Sequence, residues 1–371
     1  MKILYFGVLI RILIVYINLY IYEIPGLNED ALTFHRLASD FSNGNEIEKF
    51  YNTNSYYAFS WMLGYIYTIF TDSIFFGHLI NIFIWFLSGI VLHKTLKIVN
   101  TSYNFCNCAL LIYTLLPTSI FFSSAIIREP FMLLILNLAL YYWVKYFLSE
   151  NKLNNALYFF FILIISYLSS QYFHYAFTFI FSILVIFVLM TGILNKYKNK
   201  YKVLLLTGFI AAIFIYLNDS ILLYLAGFFE KSQSYRFSTT IGNSTYEVAL
   251  SGNIFTNAFY SFYQFLIQPT LSSLNSLSSY VIFFDNSLKL FMIFTFFFSI
   301  SLKEKKYHFL FFCIFLFYLI SIFIWSLGTT NWGTSSRHSM SEIGILIFFY
   351  FGNLRKQLLK KRIFYFFDIH K

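Results

Sequence analysis

The chain has 371 residues, 59% hydrophobic, 23% aromatic and only 11% charged, with a formal net charge of +10. Soluble domains are about a quarter charged, so the composition excludes a soluble enzyme or a soluble binding module. Nor is the positive charge a nucleic-acid footprint, because it sits in short clusters between long apolar runs, the pattern that encodes membrane topology.

Apolar stretches able to span a bilayer lie near 2–22, 74–92, 104–123, 129–148, 153–171, 173–194, 203–227, 281–302, 307–327 and 341–354. They predict an all-α polytopic membrane protein, one integral membrane domain over 1–371 with about ten transmembrane helices. The first run, ILYFGVLIRILIVYINLYIY, is too long for a signal-peptide core and lacks a small-residue cleavage site, so a retained helix is expected. The stretch SYYAFSWMLGYIYTIF (55–70) is marginal in length and rich in Tyr; it reads as an outer interfacial or re-entrant helix. The basic clusters HKTLK (93–97), Lys145 with Lys152, KYKNKYK (196–202), KEKK (303–306) and RKQLLKKR (355–362) then share one side with both termini. By the positive-inside rule that side is the cytoplasm, with roughly 18 of the 26 basic residues inside and about 13 of the 16 acidic residues outside. Two outer, periplasmic segments result. One, 23–72, is acidic; the other, 227–280, contains NAFYSFYQFLIQP, a piece expected to dip into the membrane. Cys106, Cys108 and Cys313 are too few for a disulfide framework or a metal site and are expected as small core residues.

On this topology the unusual polar residues collect on the outer face. Asp30, His35 and Arg36 lie in NEDALTFHRLASDF, Arg128 and Glu129 in PTSIFFSSAIIREP, and His174 in SSQYFHY. Arg236 lies in the second outer segment, Asp285 at the start of the next helix, and Arg337 and His338 at the end of GTTNWGTSSRH. Ionisable groups at membrane depth usually pair, line a wet cavity or act in function. Bland roles stay open for most: an ion pair at a helix start for Arg128–Glu129, a hydrogen-bonded helix end for His174, a solvated charge for Arg36, an N-cap for Asp285. The stretch 328–338 is richer than a turn requires. Asn331, Gly333, Thr334, Ser335 and Ser336 precede Arg337 and His338 before a helix, and amides, hydroxyls and a guanidinium at a helix N-terminus form a good anion site. Arg11, in mid-helix, belongs to none of these groups.

No phosphate loop, metal-ligand spacing or nucleophile elbow is present. Candidate acids and bases are Asp30, His35, Glu129, His174 and His338; candidate anion holders are Arg36, Arg128, Arg236 and Arg337. That inventory suits group transfer from a phosphate-linked donor with no cofactor and no metal, arginines stabilising the charge on a departing pyrophosphate. An anion transporter would also need arginines, near mid-membrane.

The order DALTFHRLA, LPTSIFFSSAIIREP, FLIQP, NWGTSSRH resembles the Wzy-like membrane proteins of bacterial O-antigen and capsule clusters. The resemblance implies a GT-C-like glycosyltransferase that polymerises undecaprenyl-pyrophosphate-linked oligosaccharide repeat units. It implies membrane lipid as surroundings, a flippase and a chain-length regulator as partners, and no nucleic acid. Carried onto this chain, Arg128 and Arg337 would hold the pyrophosphate, with Arg36, Arg236 and Thr334 as further phosphate contacts. Asp30 and His338, then His35 and Glu129, would serve as acid–base or positioning residues, and His174, Asn331 and Gly333 would line the substrate. Gln268 before Pro269 departs from the basic residue expected there. The rivals are a GT-C enzyme adding one sugar from a polyprenyl-phosphate donor, for which Glu29 and Asp30 supply the acidic cue, and a lipid-linked oligosaccharide flippase or transporter.

Overall fold

Four prolines punctuate the whole chain, and Pro117, Pro130 and Pro269 each stand at a helix boundary, where a missing N–H costs least. The computed structural model describes residues 1–24, 27–44, 55–99, 101–148, 157–158, 160, 164, 175–194, 254–299, 305–329 and 331–361. Among these the elements are helical, the expected solution for an apolar chain that must satisfy its backbone internally. They are α1 (Lys2–Tyr20), α2 (Glu29–Ser42), α3 (Ser55–Ile69), α4 (Ile74–Ile98), α5 (Tyr103–Leu115), α6 (Pro117–Ser124) and α7 (Glu129–Leu148). After them come α8 (Tyr175–Leu194), α9 (Ile254–Ile267), α10 (Leu277–Ser299), α11 (Lys305–Leu327), α12 (Trp332–Met340) and α13 (Ile343–Lys361).

Five of the described helices are long and apolar enough to cross a membrane, six if a bent pair counts as one span. The protein is therefore a multi-pass helical membrane protein. The expected ten spans are not reached among the described residues, and the runs 153–171 and 203–227 lie largely or wholly outside them. The run 104–123 is not one helix: α5 and α6 meet at Leu116–Pro117 with a bend of 56°. The last run, 341–354, falls in α13, which starts at Ile343 and continues to Lys361; the short α12 precedes it across a turn at Ser341 and Glu342. Cys106 and Cys313 are buried, as expected of core residues, but Cys108 is exposed.

The chain forms two units, Met1–Phe181 with Met340–Lys371 and Ser182–Ser339. In the first, α1 packs on α4, α5 and α6, α4 runs along α7, and α13 lies against α4, α5 and α7. Small residues let these backbones approach. A Cβ on Gly7 would meet Thr114 and the Trp85 ring at 2.5 and 2.6 Å, and one on Gly344 would meet the Asn137 amide at 1.9 Å. Asn137 Nδ2 in turn donates to Ser88 Oγ at 2.7 Å, tying α7 to α4. The expected interfacial helix is α3, which pairs with α2 as a hairpin. Ala31, Phe34 and Ala38 form the buried stripe of α2, and Phe34 meets Phe59 edge-on at 5.0 Å. In the second unit α9 packs on α10 and α11, and Phe296 meets Phe315 at 4.8 Å.

Candidate functional site

The first unit gathers polar groups where the α2–α3 hairpin meets α4. Asp30 is half-buried in the first turn of α2, His35 half-buried one turn on, and Arg36 exposed. His35 Nδ1 lies 3.1 Å from the Tyr67 hydroxyl, a contact between the two hairpin helices. Burial holds the His35 imidazole below its ordinary pKa, partly offset by the Asp72 carboxylate. Burial, then Asp72, pushes the Tyr67 phenol up. The Tyr67 hydroxyl rests on Gly77, where a Cβ would come within 2.2 Å of it. Tyr67 thereby links His35 to the start of α4.

Arg128 and Glu129 stand at the start of α7, as the sequence predicts, and both are buried, 4% and 1% exposed. The backbone from Ala125 to Arg128 is not helical, yet it is buried throughout. Its carbonyls are held from α4. His78 Nδ1 donates to Ser124 O at 2.5 Å, and Asn81 Nδ2 donates to Ala125 O and Ile127 O at 2.5 and 2.6 Å. Asn81 is two turns in from Ile74, about 10 Å along the helix, and the Asn137–Ser88 bond lies deeper on the same two parallel helices. Irregular backbone at such a depth is tolerated only where protein covers it or where it lines a polar site. The carbonyl of Arg128 accepts from the amides of Phe131 and Met132, and Glu129 occupies the first turn of α7, where the helix dipole favours its charge.

Arg11, in the middle of α1, packs on the α5–α6 bend. It is fully buried, with Nε donating to Ser123 Oγ at 2.5 Å, Nη1 to Gly7 O and Thr114 O at 3.1 and 3.2 Å, and Nη2 to Ser119 Oγ at 3.0 Å. Its guanidinium lies 3.4 Å from the Trp85 ring centroid. It staples the α5–α6 bend, bonding a last-turn carbonyl of α5 and two hydroxyls of α6 with three of its five N–H donors.

In the second unit the stretch 328–338 differs from expectation. It is itself largely helical, and Arg337 and His338 fall in the last turn of α12, not before a helix N-terminus. Basic groups there complement the negative end of the dipole, so helix-end anion binding is not what positions them. Asn331 Oδ1 accepts from the Thr334 amide at 2.7 Å, making Asn331 a cap for α12. Gly333 has open space around it, its nearest neighbour being Asn331 Oδ1 at 3.5 Å from an ideal Cβ. Thr334 is half-buried. His338 stacks on Trp325 with centroids 4.2 Å apart, and its Nδ1 lies 3.2 Å from Thr329 Oγ1. Thr329 donates its one hydroxyl hydrogen to Trp325 O, so His338 is the donor in that contact. Asp285 is no cap: it lies in the third turn of α10, fully buried, 2.6 Å from Lys289, which also donates to Ser339 Oγ at 2.7 Å.

Arg128 thus belongs to the first unit and Arg337 to the second. His174 and Arg236 lie outside the described residues. Sequence reading missed Tyr67, His78, Asn81, Lys289 and Glu342. Glu342 is fully buried at the start of α13, its carbonyl accepting from Ile345 and Leu346. Each of the five is a polar residue inside or beside an apolar run, a signal of function in its own right within a membrane. Among the described residues no group of three or more His, Cys, Asp or Glu side chains could hold a metal ion.

The fold and these buried polar groups define a polytopic membrane protein with an irregular, polar break inside its helical bundle. No protein-family model, curated protein or solved structure matches the chain.

Proposed function

We propose that the protein is a membrane glycosyltransferase that polymerises polyprenyl-pyrophosphate-linked oligosaccharide repeat units at the periplasmic face of the bacterial inner membrane. The observation that carries this reading is the α6–α7 break, where a buried guanidinium on the last non-helical residue adjoins a buried carboxylate on the first residue of α7. A closed structural ion pair does not require four residues of irregular backbone below the end of α4. A reaction centre that must present charge to a lipid-borne pyrophosphate does.

In this mechanism Arg128 binds the pyrophosphate and stabilises the charge that develops as the glycosyl–oxygen bond breaks. The acceptor hydroxyl oxygen attacks the anomeric carbon, and the bonding pair leaves with the pyrophosphate. Glu129 orients or deprotonates the acceptor. Asp30 and His35, on the hairpin above, position the incoming repeat unit.

The broken helices and buried ionisable groups also favour a second reading, a lipid-linked oligosaccharide transporter, because discontinuous helices mark transporter binding sites. Beyond Arg11, already visible in mid-helix in the sequence, the structure buries Glu342, Asp285 and Lys289. Arg11 and the Asp285–Lys289 pair serve structural contacts within and between helices. Surface glycan from a deletion strain, complemented with Arg128→Ala, tests the polymerase reading by gel. Loss of the ladder with one repeat unit retained on the core supports polymerisation, and an intact ladder overturns the role of Arg128. A full ladder of altered composition in the uncomplemented strain indicates a single-sugar transferase. Failure of labelled lipid-linked units to reach the outer leaflet indicates a transporter. Arg337→Ala, scored by itself, tests the second unit.

A further inference from the structure

His78 and Asn81 are one turn apart on the same face of α4, and both are buried, 1% and 0% exposed. Each donates to the carbonyls of the α6–α7 break, and this fixes what the rest of each side chain can do. A carbonyl oxygen only accepts, so His78 Nδ1 carries the proton facing Ser124 O, and Nε2 of the neutral ring is a bare lone pair. In the same way Asn81 must turn its amide nitrogen to Ala125 O and Ile127 O, which leaves Oδ1 as the remaining acceptor. Both His78 Nε2 and Asn81 Oδ1 are buried without a hydrogen-bond partner among the described residues. Buried acceptors left unmet are rare and costly, and here two occur at neighbouring positions beside an irregular segment.

We infer that His78 Nε2 and Asn81 Oδ1 form a subsite for paired hydroxyl donors, the hydroxyls of a glycan ring. Anions are disfavoured there, since both groups present lone pairs, and cations find no carboxylate in the pair. A polyol supplies two donors on one rigid frame. The inference rests on the reading of the adjacent Arg128–Glu129 centre as a glycosyl-transfer site and names its acceptor side. One sugar hydroxyl donates to His78 Nε2 and a second to Asn81 Oδ1, beside the break that the same two side chains hold. His35 and Tyr67 stand toward the hairpin, the Tyr67 hydroxyl lying against Gly77, next to His78, and 3.1 Å from His35 Nδ1.

The test uses the two faces of one imidazole. His78→Asn keeps an N–H donor where Nδ1 stood, so Ser124 O stays bonded, but it removes the Nε2 acceptor. Full-length protein in lipid nanodiscs is titrated with methyl glycosides of glucose, galactose, mannose and N-acetylglucosamine, and binding is read by saturation-transfer NMR. Wild type is expected to bind at least one glycoside, and H78N to bind it about tenfold more weakly while unfolding at the wild-type temperature. Absence of glycoside binding by wild type, or equal binding by H78N, overturns the subsite. If H78N does not fold, histidine-¹⁵N spectra of wild type decide: the bare Nε2 resonance must move on glycoside addition, and an unmoved resonance refutes the inference. A glycan ladder lost in Arg128→Ala with no glycoside binding by wild type would retain the polymerase and remove this subsite. Glycoside binding with an intact ladder in Arg128→Ala would do the reverse.

Discussion

The pair Asp285–Lys289 makes the sharpest energetic prediction. Its atoms are 2.6 Å apart, its side chains 0% and 7% exposed, and it sits on α10, a helix apolar enough to cross a membrane. Removing one partner leaves an uncompensated buried charge, which costs about 3–5 kcal/mol. Lys289→Met strands the short Asp285 carboxylate, which has no stem with which to reach water, and should fall at the top of that range. Asp285→Asn leaves a lysine still bonded to Ser339 Oγ at 2.7 Å, with a flexible stem that can snorkel, and should fall at the bottom. The double variant Asp285→Leu with Lys289→Met replaces the pair with apolar groups of similar volume and should lie within about 1 kcal/mol of wild type. With Lys289→Met costing about 5 kcal/mol and Asp285→Asn about 3 kcal/mol, a near-neutral double variant would show that the two charges stabilise only as a pair. Unfolding in mixed micelles of increasing SDS fraction, followed by the fluorescence of the five tryptophans, measures all four proteins. A double variant less stable than either single one would refute the claim that the two charges act as a unit.

Arg11→Lys should destabilise more than Arg11→Met in the same assay. Lysine keeps a buried charge worth about 3 kcal/mol at the bilayer centre but cannot span Ser119, Ser123 and Thr114, whereas methionine strands one carbonyl, about 1–3 kcal/mol; the reverse order would show that charge, not the planar fork, matters. Gly344→Ala should cost about 1–3 kcal/mol by overpacking, since its Cβ would meet Asn137 Oδ1 at 1.9 Å, and Asn137→Ala should relieve much of it; an unchanged midpoint in G344A would refute the close crossing. For the hairpin, burial depresses the His35 pKa in the folded state, so the unfolded chain binds more protons and stability rises with pH. The contribution is complete above the unfolded value of about 6.5 and is lost as pH falls through the lower folded value. Amide exchange in α2 and α3 should therefore quicken on acidification in wild type and not in His35→Gln, and a pH-independent wild type would contradict the burial of that ring.

Much of the fold was legible because the bilayer leaves so few options. The run predicted at 129–148 is α7 to the residue, and those at 2–22 and 74–92 are α1 and α4 with displaced ends. What periodicity could not show was where a run breaks. Leu116–Pro117 divides 104–123 because Pro117 starts a new helix, and Arg11 reaches across from α1 to bond both sides of the bend. No local reading of PTSIFFSS contains Arg11. The turn at Ser341 and Glu342 lies at the edge of the last run, where a buried Glu stands beside Gly344, whose lack of a side chain matters because Asn137 lies against it.

The candidate site was half legible for a related reason. Sequence reading sought polar residues outside the apolar runs, which finds Arg128 and Glu129 because Pro130 marks a helix start beside them. It overlooks His78 and Asn81, which sit inside an apolar helix and look like isolated polar residues along it. Their meaning comes from the partner segment: they matter because Ser124, Ala125 and Ile127 arrive with unbonded carbonyls at their level. An intramembrane break needs donors from a neighbour, so a buried His and Asn at i and i+3 on one span, together with a Pro-started half-helix on another, is a joint signature. The stretch 328–338 shows the opposite error. Its dense polar composition suggested an anion-binding turn, yet those residues build a short helix whose hydroxyls bond their own backbone, Ser335 to Trp332 O and Ser339 to Ser336 O. Small polar residues are the ones able to do that, so their abundance before Arg337 is explained by the helix they cap and bend, and the case for a site rests on the α6–α7 break.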